Sequence, residues 1–361
     1  MKPLTDPSKF KTQKRLTPEE GFELFENLDL LELGSLAEKM RLQKNPNNLV
    51  TFVADSNPNY TNVCVTDCSF CAFYRKPGAE DSYTLSLEEV MEKIKNAELK
   101  GATTVLLQGG HNPNLPLEYY CALVRETRKR FPKITPHFFT ASEIQNMAEV
   151  ERIPVREVLE KLKEAGQVSL PGGGAEILTE RVRKRISPKK GGPEKWLEVH
   201  KTAHQIGIKS TATMMYGHIE TKEEIVEHLE QIRQLQDETN GFTAFIPWSF
   251  KPNHTPLQHK VPHKTFSNDY LRIIAFSRIY LDNFPHIQAS WFSEGKKTGQ
   301  MALHFGADDF GGTIFEENVH RATDHINKTT LEEIITLIQE AHFIPAQRDT
   351  LYNILKIHSK E

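Results

Sequence analysis

Three of the four cysteines in this 361-residue chain fall close together, at Cys64, Cys68 and Cys71, in the pattern Cys-x3-Cys-x2-Cys. Thiols so local in sequence make a poor disulfide framework for a chain of this length and mark a metal site in a reducing compartment. Three thiolates bind three irons of a [4Fe–4S] cluster and leave the fourth iron without a protein ligand, whereas electron-transfer clusters ordinarily take four cysteines. An open metal position chelates an outside ligand, the feature that separates open catalytic zinc sites from closed structural ones. The plainer alternative is a structural zinc held by three Cys and one His, but this loop supplies no nearby histidine. Cys121 stands apart in a segment of helical character and is expected to be a buried free thiol.

Several glycine-rich or titratable clusters recur downstream. Gln108-Gly109-Gly110-His111 would let the backbone approach a ligand closely, or would simply end a strand. Pro171-Gly172-Gly173-Gly174-Ala175-Glu176 lacks the Gly-Lys-Ser/Thr ending of a triphosphate loop, and Glu176 is placed to accept hydrogen bonds from a ribose. In Met214-Met215-Tyr216-Gly217-His218, Met215 and Tyr216 could flank a planar ring, while the methionines serve equally as core filler. His111, His218 and Asp309 are candidate bases, each histidine also fitting a hydrogen-bonded pocket role. Asp308-Asp309 ahead of Gly311-Gly312 would bind sugar hydroxyls or end a strand. Thr221 with Glu224 forms a capping box, which makes Glu224 structural.

The elements that must position these groups alternate in type. Thr17-Pro18 with Glu20 starts a helix, and a second helical segment runs from Ser35 to about Leu42; both are expected to pack across one end of the main domain. Strands are expected at Leu49–Ala54, Thr103–Leu107, Ile134–Thr140, Gln167–Leu170, Lys209–Met215, Phe242–Trp248, Ile287–Trp291 and, last, Ala302–Phe305. Helical patterns separate them, the first opened by Ser86 and Glu89 and closed by Gly101, and a final helix follows at Leu331–Ala341. About eight strand–helix alternations in one domain predict an α/β fold, a closed (β/α)8 barrel over residues 49–361 with an N-terminal extension and helices over 1–48. In such barrels chemistry sits in the loops after the strands, where most of these clusters fall.

Composition sets the outer limits. With 45 basic and 48 acidic residues the net charge is −3, which argues against a nucleic-acid surface. No apolar run is long enough to cross a membrane, and Met1–Pro18 is polar and irregular with no signal-peptide core, so a cytoplasmic protein is expected.

Cys64-x3-Cys68-x-Phe70-Cys71 resembles the signature of the radical S-adenosylmethionine superfamily. The resemblance implies a [4Fe–4S] cluster whose open iron chelates S-adenosyl-L-methionine and whose electron releases a 5′-deoxyadenosyl radical. It further implies that Phe70 packs near the adenine, that Gly109 and Gly110 approach the methionine amine, that Glu176 meets the ribose or the ammonium, and that Met215, Tyr216 and Gly217 lie by the adenine. An acidic residue usual after the paired glycines is absent, His111 standing in its place. Over about residues 50–318, Asp67–Arg75, Gln108–Pro113, Met214–His218 and Gly306–Thr313 look like the menaquinone and deazaflavin-cofactor branch. Phe245-Ile246-Pro247-Trp248-Ser249-Phe250-Lys251-Pro252 looks most like the dehypoxanthine futalosine cyclases, with aminofutalosine synthase and deazaflavin-precursor synthase types as the alternatives. That resemblance implies hydrogen removal at sugar C4′ of dehypoxanthine futalosine and ring closure onto its benzoate, with Lys251 as a candidate carboxylate partner and a flavodoxin- or ferredoxin-type electron donor. An iron–sulfur electron carrier or redox sensor is the reading from a different class, and a fourth cysteine ligand would favour it.

Overall fold

The computed structural model describes residues 15–262 and 264–358. The irregular opening expected for the first residues lies, up to residue 14, outside the described residues. Helices α1 (Pro18–Asn27) and α2 (Leu30–Lys44) come first, α1 closed by the Thr17–Glu20 capping box with Pro18 in its first turn. Next follow β1 (Leu49–Val53), β2 (Asp55–Ser56), α3 (Leu87–Leu99), β3 (Thr104–Leu107), α4 (Leu117–Arg130), β4 (Thr135–Phe138), α5 (Ala141–Glu151), α6 (Val155–Glu164) and β5 (Ser169–Leu170). Then come α7 (Glu180–Ile186), α8 (Pro193–Gln205), β6 (Lys209–Tyr216), α9 (Lys222–Thr239), β7 (Phe242–Ser249), α10 (Ser267–Tyr280) and β8 (His286–Ile287). The chain ends with α11 (Trp291–Glu294), α12 (Lys296–Ala302), β9 (Asp309–Gly312), α13 (Leu331–Glu340), β10 (Ile344–Arg348) and β11 (Ile354–Ile357).

Strands β2 to β8 form one sheet in chain order, every neighbour parallel. The second sheet runs β11-β10-β1-β9, with β1 parallel to both β9 and β10. Only Ala54 separates β1 from β2, and a parallel bridge joins Gln288, just past β8, to Asp309 in β9. The two sheets therefore meet at both edges and close an eight-staved wall, the (β/α)-type barrel that the alternation predicts.

Two expectations are corrected. Ala302–Phe305 is not a strand: it is the end of α12 and a 3-10 turn, and the closing stave is Asp309–Gly312. Gly306, at φ 100°, makes the left-handed stop between them. The N-terminal helices pack on the outer helices α9 and α10 along the barrel's flank, where Arg272 Nη1 donates to the Phe25 and Leu28 carbonyls at 3.0 and 2.9 Å. Beyond the expected elements, the chain returns after α13 to lay β10 beside β1, which carries Arg348, Thr350 and Tyr352 into the barrel cavity.

The wall is packed with apolar side chains, but several histidines are sealed in it uncharged. His200 and His204 share the Ser210 hydroxyl at 2.9 and 2.7 Å, His137 meets Ser169 at 2.9 Å, and His228 Nδ1 accepts from the Leu178 N–H at 3.0 Å. Burial pushes His137, His204 and His228 down to about 3. The unfolded chain takes protons near pH 6.5 that the folded chain refuses, so stability falls as pH drops through this window. Each such histidine withdraws about 1–2 kcal/mol between pH 7 and pH 5. Urea titrations at the two pH values are expected to show a clearly lower midpoint at pH 5; equal midpoints would mean that these imidazoles are charged in the fold.

Candidate active site

The cysteine loop runs directly out of β2 over the barrel mouth. Asp67 takes a left-handed conformation (φ 43°), which turns the loop so that Cys64 Sγ and Cys68 Sγ both face the Thr66 hydroxyl, at 2.9 and 3.6 Å. Cys64 and Cys68 are buried and Cys71 is half-buried. Burial raises the Cys68 thiol to about 11 and raises Cys71 as well, while the Lys190 cation and, for Cys71, the Tyr74 and Phe73 N–H groups pull the other way. Phe70 is half-buried, with Lys190 Nζ 5.2 Å above its ring.

A segment beyond α7 clamps this loop. Lys189 Nζ binds Asp67 Oδ2 at 2.8 Å and the Val65 carbonyl at 3.1 Å, and the Ser69 N–H donates to the Ile186 carbonyl at 2.8 Å. Lys190 is half-buried and pairs with Glu176 Oε1 at 3.1 Å, and Arg183 approaches Glu176 Oε2 at 3.7 Å. Glu176 itself has φ 46°, a strained conformation for a non-glycine residue, and its buried Oε2 has no hydrogen-bond partner among the described residues. The Tyr216 hydroxyl is likewise buried without a partner.

The paired glycines do more packing than sequence suggested. A Cβ on Gly110 would overlap the Val63 carbonyl, and one on Gly109 would sit 2.6 Å from the Tyr60 ring. Their N–H groups are engaged, Gly109 with Glu143 Oε1 at 2.9 Å and Gly110 with the Thr61 carbonyl at 3.0 Å. Glu143 also accepts from the Tyr60 hydroxyl at 2.6 Å while closing the capping box with Thr140 that starts α5. It thus fixes the β3 loop to the residues before the cysteines. Gly110→Ala is expected to cost about 1–3 kcal/mol of stability and to lower iron loading of the chain. Iron analysis with urea melts checks this, and unchanged loading would mean that the loops are not seated on each other.

The candidate bases sit in different places. His111 is buried beside the cysteine loop, its carbonyl accepting from the Val65 N–H at 3.2 Å, and burial with Lys190 pushes its imidazole down to about 3. His218 is held within its own turn, Nε2 at 3.0 Å from the Met215 carbonyl and Nδ1 at 2.9 Å from Glu220 Oε2. Asp309 forms a buried two-point pair with Arg348 at 2.5 and 3.1 Å and accepts from Thr51 at 2.6 Å. Asp308 is tied to Arg278 and His286, so neither aspartate is free to bind a sugar. Lys251 donates to Ser249 Oγ at 2.8 Å beside Glu294. Met215 is sealed in the core, and Gly217 turns at φ 84° where a Cβ would overlap Thr265. Glu224 caps α9 and pairs with Arg181, the structural role expected of it.

Inside the barrel lies a cavity of about 250 Å³. The pleat of β7 sends Ile246 and Trp248 into it while Phe245 is buried on the other side. Trp248, His320 and Phe292 make an aromatic wall, with ring centroids 5.2 Å apart for Trp248–His320 and 4.7 Å for Phe292–His320. The same cavity is lined by the polar groups Asp55, Thr104, His137, Thr211 and Arg348. Sequence reasoning missed Asp55, His137, His320, Glu143 and Lys190. Only Glu143 carried a readable signal, the Thr140-x-x-Glu143 spacing of a capping box.

The residues fit a cluster with one open iron and a bound sulfonium cofactor. Two of the three thiols face one hydroxyl, the Lys190 cation favours the ionised forms of Cys68 and Cys71, and the unpartnered Glu176 oxygen stands ready to accept from a ligand. Residues 58–232 match the family model described as the radical SAM superfamily, and residues 239–361 match the CofH/MqnC C-terminal region. Cyclic dehypoxanthine futalosine synthase of Halalkalibacterium halodurans is 43% identical over 343 residues, covering 95% of this chain and 92% of that protein. Aminodeoxyfutalosine synthase of Thermus thermophilus is 41% identical, covering 95% of this chain and 93% of its own. Among solved structures, the [FeFe]-hydrogenase maturase HydG superposes with a TM-score of 0.73 at 20% identity, covering 94% of this chain and 74% of that one. Methylornithine synthase gives 0.70 at 18% identity, covering 93% and 95%. Both share the fold.

Proposed function

This chain belongs to the radical S-adenosylmethionine superfamily, in the group that holds the futalosine synthases, and we propose that it is a cyclase converting dehypoxanthine futalosine to its cyclic form in menaquinone biosynthesis. When bound, the [4Fe–4S] cluster and S-adenosylmethionine supply a 5′-deoxyadenosyl radical that takes a hydrogen atom from sugar C4′. Cys64, Cys68 and Cys71 would hold the irons. Glu176 would accept from the cofactor's ribose or ammonium, Lys190 keeping it and the thiolates oriented. Phe70, Tyr216 and Gly217, with Met215 packed behind them, would border the adenine.

The chain's further task is to hold the sugar radical carbon against the benzoate ring and keep other hydrogen sources away. The aromatic wall of Trp248, Phe292 and His320 suits a flat ring, and the Thr104 and Thr211 hydroxyls lining the same cavity suit sugar hydroxyls. The observation that carries the substrate choice is Trp248. The segment around it looks most like the futalosine cyclases, and the fold turns Ile246 and Trp248 into the cavity. Single electrons would come from a flavodoxin- or ferredoxin-class donor in the cytoplasm, where free thiols such as these survive.

The aminofutalosine synthase reading is separated by experiment. The anaerobically reconstituted chain, given each group's substrate in turn with S-adenosylmethionine and reductant, is expected to turn over dehypoxanthine futalosine alone, to a product two mass units lighter. Turnover of only the aminofutalosine precursor would replace this reading with the other.

A further inference from the structure

Two carboxylates line the cavity without a role so far, Asp55 and Glu317. Asp55, in β2, is buried and lines the cavity with Thr104, His137 and Trp248. The Ile314 N–H donates to its Oδ1 at 2.7 Å, and Thr313 braces its backbone, donating to the Asp55 carbonyl at 2.9 Å and accepting from the Asp55 N–H at 2.8 Å. A Cβ on Gly312 would overlap the Asp55 carboxylate on both oxygens, so β9 offers a glycine where this group needs room. The nearby cation, Arg348, is committed to Asp309 at 2.5 and 3.1 Å, and among the described residues Asp55 has no ion pair.

Other titratable groups lining the cavity are poorer proton acceptors. Burial pushes His137 and His320 down to about 3. Burial raises Glu317 too, but both of its oxygens are taken up by the Val319, His320 and Arg321 N–H groups, at 2.8, 2.9 and 3.3 Å, and it serves as a turn cap. Asp55 instead is raised by burial to about 6, where a carboxylate is both ionised and basic near neutral pH.

We propose that Asp55 is the base that removes the proton lost when the cyclised ring regains aromaticity. The assignment rests on the cyclase reading above. The C4′–H bond is already broken, and the sugar carbon has bonded to a ring carbon that still carries its hydrogen. Breaking that C–H bond sends the proton to the Asp55 carboxylate. The bonding pair returns to the ring, and one electron leaves for a one-electron acceptor of the iron–sulfur or flavin class. Substrate thus loses one hydrogen atom, one proton and one electron, two mass units in all.

The test uses the full chain with its cluster reconstituted, and dehypoxanthine futalosine as substrate. Asp55→Asn keeps the acceptor for the Ile314 N–H, so the loop geometry is retained. Its cyclised product is expected to fall on the order of 100-fold or more while deoxyadenosine formation stays within about twofold of wild type. An organic radical should accumulate in its electron paramagnetic resonance spectrum, together with an isomer of the substrate formed when that radical is reduced. Asp55→Ala should regain product when formate is added, which a merely structural carboxylate would not permit. Product from Asp55→Asn at more than half the wild-type rate would overturn the proposal, as would loss of deoxyadenosine and product together in a folded, cluster-loaded variant. Wild type that makes deoxyadenosine but no lighter product would reject the cyclase reading itself.

Discussion

Replacing Cys68 with alanine is expected to leave the fold standing while abolishing deoxyadenosine formation. Cys68 is buried at the centre of the loop, with its sulfur against the Thr66 hydroxyl, and a methyl group fills much of the same space. Folding stability should therefore move by no more than about 1 kcal/mol, far short of the cost of a large cavity. The metal site has no such tolerance, because a cluster held by two thiolates has two open irons and is readily lost. Changes in partners that merely orient metal ligands cost roughly 10–100-fold in metal affinity or activity, and removal of a ligand must exceed that. Lys190→Met supplies the graded comparison. Its ammonium pairs with Glu176 and favours ionised Cys68, so its loss should fall within that roughly 10–100-fold band. Iron content, visible absorbance and deoxyadenosine yield distinguish the two variants. Equal effects would mean that Cys68 is only one more orienting residue.

Arg278→Met should produce the largest loss of stability of any single change at a position away from the chemistry. Arg278 is fully buried and reaches from α10 to Asp308, donating also to the Gly306 carbonyl at 2.7 Å and the Pro285 carbonyl at 3.3 Å. Asp308 further accepts from the Ile287 N–H at 2.8 Å, from His286 at 2.7 Å and from Asn45. The pair joins α2, α10, β8 and the closing stave β9. Removing the guanidinium leaves a buried carboxylate without its main counter-charge, which costs about 3–5 kcal/mol. Burial alone would raise Asp308, yet Arg278 and His286 hold it at about 2. The stability this pair contributes is thus full above the unfolded carboxylate range near pH 4 and fades as pH falls toward 2. Urea midpoints of wild type and Arg278→Met should differ widely at pH 7 and converge in acid. Equal midpoints at pH 7 would show that the pair merely balances its own desolvation.

Much of the barrel was legible because its strands and helices obey different periods and its helices carry their own start signals. The capping boxes at Thr17, Ser86 and Thr221 all form as the spacing requires. Ala302–Phe305 misled because a short apolar run looks the same in a buried strand and in the end of a helix. Helix α5 escaped notice because it buries Ser142, Glu143, Gln145 and Asn146 alongside its apolar residues, so no apolar stripe marks it. Strand β10 is hidden by Pro345, Gln347 and Arg348, polar or strand-breaking residues, yet it pairs with β1 along its whole length and its Arg348 finds Asp309.

The site was legible where chemistry is written in spacing and obscure where it depends on which face points inward. Cysteine spacing announces a metal site by itself. Asp309 and His218 look like bases in sequence, but one is paired with Arg348 and the other is held by its own turn. Asp55 sits inconspicuously in Val53-Ala54-Asp55-Ser56, and only the closed wall shows that it faces a cavity. Lys189-Lys190 looks like a solvated basic pair, yet Lys190 turns inward to pair with the buried Glu176.

The central claim is that the three cysteines hold a cluster with one iron left open to S-adenosylmethionine. The most direct measurement is the electron paramagnetic resonance spectrum of the reduced, reconstituted chain before and after S-adenosylmethionine is added, in the absence of substrate. An open iron predicts a four-iron signal whose g-values shift when the cofactor's amine and carboxylate bind, with no such signal in Cys68→Ala. A cluster spectrum unchanged by saturating S-adenosylmethionine would contradict the account.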